Sequence, residues 1–268
     1  MLYFVSTPIG NLGDITYRAV EVLSSVDVIA CEDTRLSLPL LNKYGIKKSL
    51  ISYQKFNEAE VSANILDMLK QGKTVAVISD AGTPVLSDPG SVLVTSLINS
   101  GEPFTVIPGA NALLPALILS GLNSSKFLFI GFLPEKKSDR VALLDKFSAV
   151  PASLVFYCAP HDIEKTLTYL YQALGRRKAV LVKEITKVYE TRCEFYLGDI
   201  PEIDLRGEFV IVVDGYYQAE DFSALSPLEH VKLYQKDGLS KMDAIKKVAK
   251  ERGLSKSDLY KTVIEEAE

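Results

Sequence analysis

The sequence predicts an α/β fold, with two α/β domains followed by a small helical segment. Three observations carry this reading. Runs of three or four apolar residues alternate with amphipathic stretches through the first 120 residues, the pattern of a parallel sheet built by right-handed crossovers. The pattern restarts at Phe127 with shorter connections, which predicts a sheet of mixed strand direction. From Pro227 onward the spacing is that of short helices alone.

Leu2 to Val5 reads as the first strand, followed by a loop of turn residues from Ser6 to Asp14. The next helix starts at Asp14 or Thr16 and repeats Ala19, Leu23 and Val26 at helical spacing. Val28 to Ala30 and Leu50 to Ser52 are the second and third strands, and the helix after them places Val61, Ile65, Met68 and Leu69 on one face. Val75 to Ile78 is the fourth strand; Phe104 to Ile107 is the fifth and leads into a helix through Leu119. In the second half Leu154 to Cys158 and Ala179 to Lys183 are strands, joined by a helix that aligns Ile163, Leu167, Leu170 and Leu174. Glu190 to Leu197 and Glu208 to Asp214 follow closely. The last segment predicts three helices, the middle one with Met242, Ile245 and Ala249 inward and Gly253 at its end, the next with Leu259 and Val263 inward. The expected domains are 1–120, 121–222 and 223–268.

With 268 residues and 47% apolar content, the chain is able to bury sizeable cores. Cys31, Cys158 and Cys193 are too widely spaced for a disulfide framework or a zinc site, so no metal is expected and a reducing, cytoplasmic setting is. The N-terminus has no basic flank before its apolar residues, and no apolar run approaches the ~20 residues of a membrane span. A net charge of −4 argues against wholesale polyanion binding, but Ser226 to Lys261 holds nine Lys/Arg against five acids, a local excess of four positive charges. Helices with a basic face around a Gly-containing turn fit a nucleic-acid-binding module, and equally a packed tail with solvated lysines.

The most telling stretch is Thr74 to Gly90, where Val75-Ala76-Val77-Ile78 opens into Ser79-Asp80-Ala81-Gly82-Thr83-Pro84 and then Ser87-Asp88-Pro89-Gly90. A buried strand that ends in one carboxylate, small residues and prolines presents backbone to a ligand at the sheet edge where α/β folds bind them. The plainer alternative is that Asp80 and Gly82 only turn the chain. Every polar loop of the first half follows a strand's carboxyl end, so these residues gather on one edge. The motifs for dinucleotides, Walker-type phosphate binding and α/β-hydrolase chemistry are absent. His161 and His230 read as surface or capping groups rather than catalysts.

Three loops together, Thr7-Pro8-Ile9-Gly10-Asn11-Leu12-Gly13-Asp14, Ser79 to Gly90 and Pro108-Gly109-Ala110-Asn111-Ala112-Leu113, resemble the signature loops of the tetrapyrrole methylase superfamily. Cys31-Glu32-Asp33-Thr34-Arg35, Ser52-Tyr53, Asn57-Glu58, Phe129 to Pro134 and Lys183-Glu184-Ile185-Thr186-Lys187 resemble its ribosomal RNA small subunit methyltransferase I branch. The resemblance implies a class III methyltransferase fold with S-adenosylmethionine in a cleft between two α/β domains. It also implies a homodimer that methylates the ribose 2′-oxygen of a cytidine in the decoding centre of 16S ribosomal RNA, free or in an assembled small subunit. Alternatives within the superfamily take a porphyrin precursor or a diphthine-type substrate; a non-catalytic RNA-binding assembly factor is a third.

By the same resemblance, cofactor contacts fall at Ile9, at Asp80, Ala81, Gly82 and Thr83, and at Gly109, Asn111 and Ala112, with Tyr157 and Cys158 closing the pocket. A ribose hydroxyl is a weak nucleophile and needs a proton acceptor within about 3 Å. The candidates are Asp33 and Glu184 first, then Glu58 and Glu32, with Lys183 as a partner; Asp33 could instead pair with Arg35, and Glu184 with Lys187. Arg35, Lys55, Lys136, Lys137 and Arg140 beside the cleft, and Lys246, Lys247 and Lys250 in the tail, are the expected RNA contacts, with Tyr53 and Phe56 as stacking residues and a core role the equal alternative for Phe56. Two departures stand out: Ala110 replaces a common proline, and Ala159-Pro160-His161-Asp162 replaces Ser-Pro-His-Arg, which removes a basic residue from that turn.

Overall fold

The computed structural model describes residues 1–199, 201, 204, 206–216, 225–236 and 238–265. Two compact units, 1–216 and 217–268, make up the chain. The expected boundary at 222–223 lies outside the described residues.

The first unit opens with β1 (Leu2–Val5), a 3-10 turn at Leu12–Asp14, α1 (Tyr17–Ser25), β2 (Val28–Cys31), α2 (Thr34–Lys43) and β3 (Ser49–Ser52). It continues through α3 (Glu58–Lys70), β4 (Val75–Ile78), α4 (Ser91–Ser100), β5 (Phe104–Ile107) and α5 (Leu113–Ser120). These strands form a parallel sheet in the order β3-β2-β4-β1-β5. From β1 the chain crosses past β4 to reach β2, and from β4 it crosses past β1 to reach β5. Neighbouring strands therefore send their connections in opposite directions, and such a switch point opens a crevice at their carboxyl ends. Thr16 is the cap of α1, its hydroxyl accepting from the Ala19 N–H, while Asp14 belongs to the turn before it.

The second sheet uses β6 (Phe127–Gly131), β7 (Ser153–Cys158), β8 (Lys178–Lys183), β9 (Thr191–Tyr196) and β10 (Phe209–Val213), with α6 (Lys137–Phe147) and α7 (Ile163–Leu174) between them. Its order is β6-β7-β10-β8-β9, with β6 and β7 parallel and the other neighbours antiparallel, the mixed direction that the short connections imply. Its strands read Val, Leu and Phe on both faces because α6 and α7 cover one face while α5 covers the other. Although α5 follows directly from β5, it buries Ala116 and Leu117 against Val180, Val182 and Val210 of the second sheet. The chain therefore passes from one sheet to the other through the loop at 108–112, which lies on the crevice.

The second unit holds α8 (Pro227–Lys236), α9 (Lys241–Arg252) and α10 (Lys256–Glu265) around Val231, Ile245, Val248, Leu259 and Val263. Ile245 and Ala249 face inward as expected, joined by Ala244 and Val248, while Met242 corrects the expected stripe: it is exposed. His230, expected as a surface or capping group, is fully buried and accepts a hydrogen bond at Nδ1 from Arg252 Nε beside the Glu251 carboxylate. His161 is exposed beside Asp162.

Candidate functional site

The loops at 7–14, 79–84 and 108–112 are stitched together at the carboxyl edge of the first sheet. Thr7 and Gly82 exchange both backbone hydrogen bonds, at 2.8 and 3.0 Å. The Thr7 hydroxyl donates to the Ser79 carbonyl, Ser6 and Thr83 hydroxyls lie 3.0 Å apart, and Thr83 reaches the Ala110 carbonyl. Gly109 packs against Ser6, where a Cβ would come within 2.9 Å of the serine Cβ, so it secures the loop contact and does not line the cavity.

A cavity of about 370 Å³ opens between these loops and the second sheet, within the range that takes small ligands and cofactors. The first sheet contributes Ile9, Asp80, Ala81, Gly82 and Thr83, and the crossover loop adds Asn111 and Ala112. Tyr157 and Cys158, at the end of β7, form the opposite wall with Phe132, Ile185 and Phe209. The cavity thus gathers nine of the ten residues expected to hold a cofactor. Asn111 also fixes the start of α5, its Oδ1 accepting from the Leu114 N–H. Burial pushes up the Cys158 thiol, which keeps it neutral as a wall group and unsuited to nucleophilic work.

The charge of the cavity comes from carboxylates. Glu32, Asp80, Asp88 and Glu208 line it, Glu208 paired with Lys187 outside the lining, and among the described residues no Lys, Arg or His lines it. Burial pushes the carboxyls of Glu32, Asp80 and Asp88 above their ordinary range; the negative charges of Asp80, Asp88 and Asp33 add to the effect at Glu32, and that of Asp80 adds to it at Asp88. Asp80 Oδ1 accepts the Asp33 N–H at 3.0 Å. Carboxylates such as Glu32, Asp80 and Asp88, with no cationic group beside them on the lining of a half-buried cavity with apolar walls, favour an organic cation.

Of the five residues expected to do the chemistry, Glu32 lines the cavity, while Asp33, Glu58, Lys183 and Glu184 sit outside the lining. Asp33 caps α2, accepting from the Arg35 N–H and guanidinium, which holds its carboxyl down at about 2. A carboxylate so stabilised is a poor proton acceptor. Glu58 Oε1 accepts from the Gly90 and Val92 N–H groups at 2.8 and 3.0 Å, anchoring the start of α4. Replacing Glu58 with alanine orphans these donors and is expected to cost about 1–3 kcal/mol of stability, read as a lower thermal midpoint. Lys183 is buried, its Nζ on the Asp204 carbonyl and carboxylate. Burial pushes Glu184 up, but the Glu208 N–H and the Lys187 ammonium outweigh it and leave the carboxyl below its ordinary value.

Glu184 and Thr186 adopt left-handed backbone, a conformation costly for side-chain-bearing residues, and the turn between them presents Ile185 to the cavity. Thr186 donates to Asp14, and Lys187 bridges Glu184 and Glu208. Gly10 lies where a Cβ would meet Lys187 carbons at 2.5 Å, so only glycine lets the two loops close.

Among the expected RNA contacts, Arg35 and Lys136 are exposed and each pairs with a nearby aspartate. Lys55 and Lys137 are also exposed. Arg140 corrects the expectation: it is buried, donates to the Pro134 and Glu135 carbonyls, and stacks 3.7 Å from the Tyr169 ring centre. Tyr53 is likewise buried, its hydroxyl near Ser62 and Glu58 and its pKa pushed up to about 12, whereas Phe56 is 85% exposed. Among the described residues no cluster of His, Cys, Asp and Glu could hold a metal ion, and no helix is long and apolar enough to cross a membrane.

Comparison with known proteins agrees with this arrangement. Residues 1–201 match the family model described as Tetrapyrrole (Corrin/Porphyrin) Methylases. The chain is 41% identical to the ribosomal RNA small subunit methyltransferase I of Halalkalibacterium halodurans, covering 97% of this chain and 93% of the relative. It is 39% identical to the Bacillus subtilis protein of the same name, covering 97% and 92%. Among solved structures, a diphthine synthase superposes with a TM-score of 0.66 at 17% identity, covering 80% of this chain and 89% of that one. A uroporphyrin-III-C-methyltransferase from Thermus thermophilus superposes with a TM-score of 0.56 at 20% identity, covering 80% and 94%. These two likenesses establish the fold, while the matched family model and the full-length relatives establish kinship: the chain belongs to the tetrapyrrole methylase family, in the branch of the ribosomal RNA small subunit methyltransferases I.

Proposed function

We propose that the chain is an S-adenosylmethionine-dependent methyltransferase that modifies the ribose 2′-oxygen of a cytidine in small-subunit (16S) ribosomal RNA. The observation that carries the cofactor assignment is the cavity: about 370 Å³, apolar on most walls, lined by the acidic residues Glu32, Asp80, Asp88 and Glu208 and, among the described residues, by no cationic side chain. That donor set suits a ligand with a sulfonium and an ammonium group. Asp80 is placed to accept from the ammonium or the ribose hydroxyls, and Ile9, Ala112 and Ile185 offer apolar surface to the adenine. When bound, the cofactor supplies the methyl group and a sulfonium leaving centre. The chain's own task is alignment of the acceptor oxygen and exclusion of water, from which most of the rate gain of an in-line displacement comes. For the proton released by the acceptor hydroxyl, Glu32 and Asp88 are better placed than Asp33 or Glu184, because they face the cavity and their pKa values are raised.

The domain reading that goes with this function is a cofactor-binding half at 1–120, a second α/β half at 121–222 and a basic helical module at 223–268 that holds the phosphate backbone. A homodimer in the cytoplasm completes the proposal. It is supported by the sequence resemblance and, for the reducing setting, by three free cysteines. Incubation of the purified protein with methyl-labelled cofactor and either assembled small subunits or free 16S RNA tests the function. Label at an alkali-resistant internucleotide linkage is expected; label confined to a porphyrin precursor overturns the RNA assignment.

The raised carboxylates predict a pH dependence. Burial disfavours their ionised forms, so the ligand-free protein gains stability as pH falls and they take up protons. A cationic ligand needs those forms ionised, so its affinity falls over the same interval, above the ordinary carboxylate range. Thermal melts with and without S-adenosylmethionine are expected to show its stabilising effect shrinking as pH drops from neutrality toward that range.

A further inference from the structure

A second hollow of about 230 Å³ adjoins the first and shares Phe132, Tyr157, Cys158 and Ala159 with it. Beyond that shared seam it is walled by Leu133, Pro134, Thr166 and Tyr169. Arg140, Glu135 and Asp162 are also on its lining, and Lys165 is exposed at its rim. One face of Tyr169 is covered by the buried Arg140 guanidinium, which is tied to two backbone carbonyls, so that wall is rigid. Phe132 stands at the seam, 54% exposed, with its ring 5.6 Å from Tyr157 in an edge-on arrangement. Tyr157 also packs against Phe129, with ring centres 4.8 Å apart. The turn before Phe132 is fixed by Gly131, which has a φ of +74° and lies so close to Ser87 that a Cβ would come within 3.2 Å of its hydroxyl. A half-exposed phenylalanine held this firmly contributes little to the core.

We propose that this second hollow receives the base of the acceptor nucleotide, a pyrimidine lifted out of its stack and laid on Phe132. The inference rests on the proposed methyl transfer and adds the place of the substrate. In-line attack requires the ribose oxygen at the seam between the hollows, which leaves the base to occupy the hollow on the far side of the shared wall. Extracting a base costs stacking energy, and aromatic rings recover it. Lys165 at the rim is positioned for a flanking phosphate.

The test combines Phe132→Ala and Phe132→Trp with Lys165→Glu, whose side chain lines the second hollow alone. Calorimetry gives the affinity for S-adenosylmethionine, and labelled methyl transfer to assembled small subunits gives kcat/KM for the RNA. Because Phe132 also walls the first cavity, kcat/KM for the RNA is read at saturating cofactor. Phe132→Ala is expected to lower it about ten- to hundredfold, with most activity restored in Phe132→Trp. Lys165→Glu is expected to raise KM for the RNA with unchanged cofactor affinity. Full kcat/KM at saturating cofactor in Phe132→Ala, or an unchanged KM for the RNA in Lys165→Glu, overturns the subsite and leaves the methyltransferase reading standing. Absence of label in RNA from the unaltered protein overturns both.

Discussion

Asp80→Ala is expected to weaken binding of S-adenosylmethionine roughly ten- to hundredfold, because a hydrogen bond to a charged group contributes about 1.5–3 kcal/mol. Asp80 stands at the mouth of the loop after β4, beside Ala81, Gly82 and Thr83 on the cavity wall. Its carboxylate is tied to the neighbouring loop by the Asp33 N–H. The residue is exposed, so its loss leaves the core intact, and the thermal midpoint without ligand should shift by a few degrees at most. Asp80→Asn keeps an acceptor for Asp33 and removes the charge. If charge complementarity sets the affinity, Asn should resemble Ala; if hydrogen bonding does, it should fall between Ala and the parent. Calorimetry on the three proteins decides this, and an unchanged affinity in Asp80→Ala takes Asp80 out of the site.

The cofactor pocket is legible in the sequence for a simple reason. A strand buried on both faces is an unbroken apolar run, and its carboxyl end is marked by the abrupt arrival of Ser, Asp, Gly and Pro, as at Ser79 to Pro84. Strand ends then fix which loops share an edge. What the chain does not announce is the direction of each side chain on those loops. Asp33 and Glu58 carry charge at the right sheet edge, yet both are turned back to satisfy helix N-termini. A signal for this exists in Asp33-Thr34-Arg35, an N-cap residue directly before a helix, which leaves Glu32 as the carboxylate free to face the cavity. Helix α6 shows a second limit. Its inner face carries Arg140 beside Leu144, so the apolar repeat that marks an amphipathic helix is broken by a cation that is satisfied only in the tertiary structure. His230 is the same case in α8, a polar group at an inward position that Arg252 and Glu251 make tolerable.

Reversing three charges on α9 is expected to have the other large effect. Ala244, Ile245, Val248 and Ala249 turn inward, which leaves Lys246, Lys247 and Lys250 exposed. Lys246 shares an exposed ion pair with Asp243, an interaction that contributes little in water and is readily exchanged for a phosphate. Lys247 lies 3.8 Å from the Tyr234 ring centre; removing the ammonium from that ring costs about 0.5–1 kcal/mol. Tyr234 keeps its hydroxyl on the Glu251 carboxylate, so the three-helix unit should stay folded. If these lysines hold RNA phosphates, the variant Lys246→Glu, Lys247→Glu, Lys250→Glu should bind small-subunit RNA at least about tenfold more weakly. Its log affinity should fall less steeply with log salt, by about 0.7–0.9 for each phosphate that the variant leaves unneutralised. Calorimetry with S-adenosylmethionine should give the parent affinity, since none of the three lines the cavity. A uniform loss of RNA affinity with an unchanged salt slope would point to damaged folding, and unchanged affinity would make the basic face solvated surface. A flatter slope with intact cofactor binding is the pattern that only a phosphate-binding face produces.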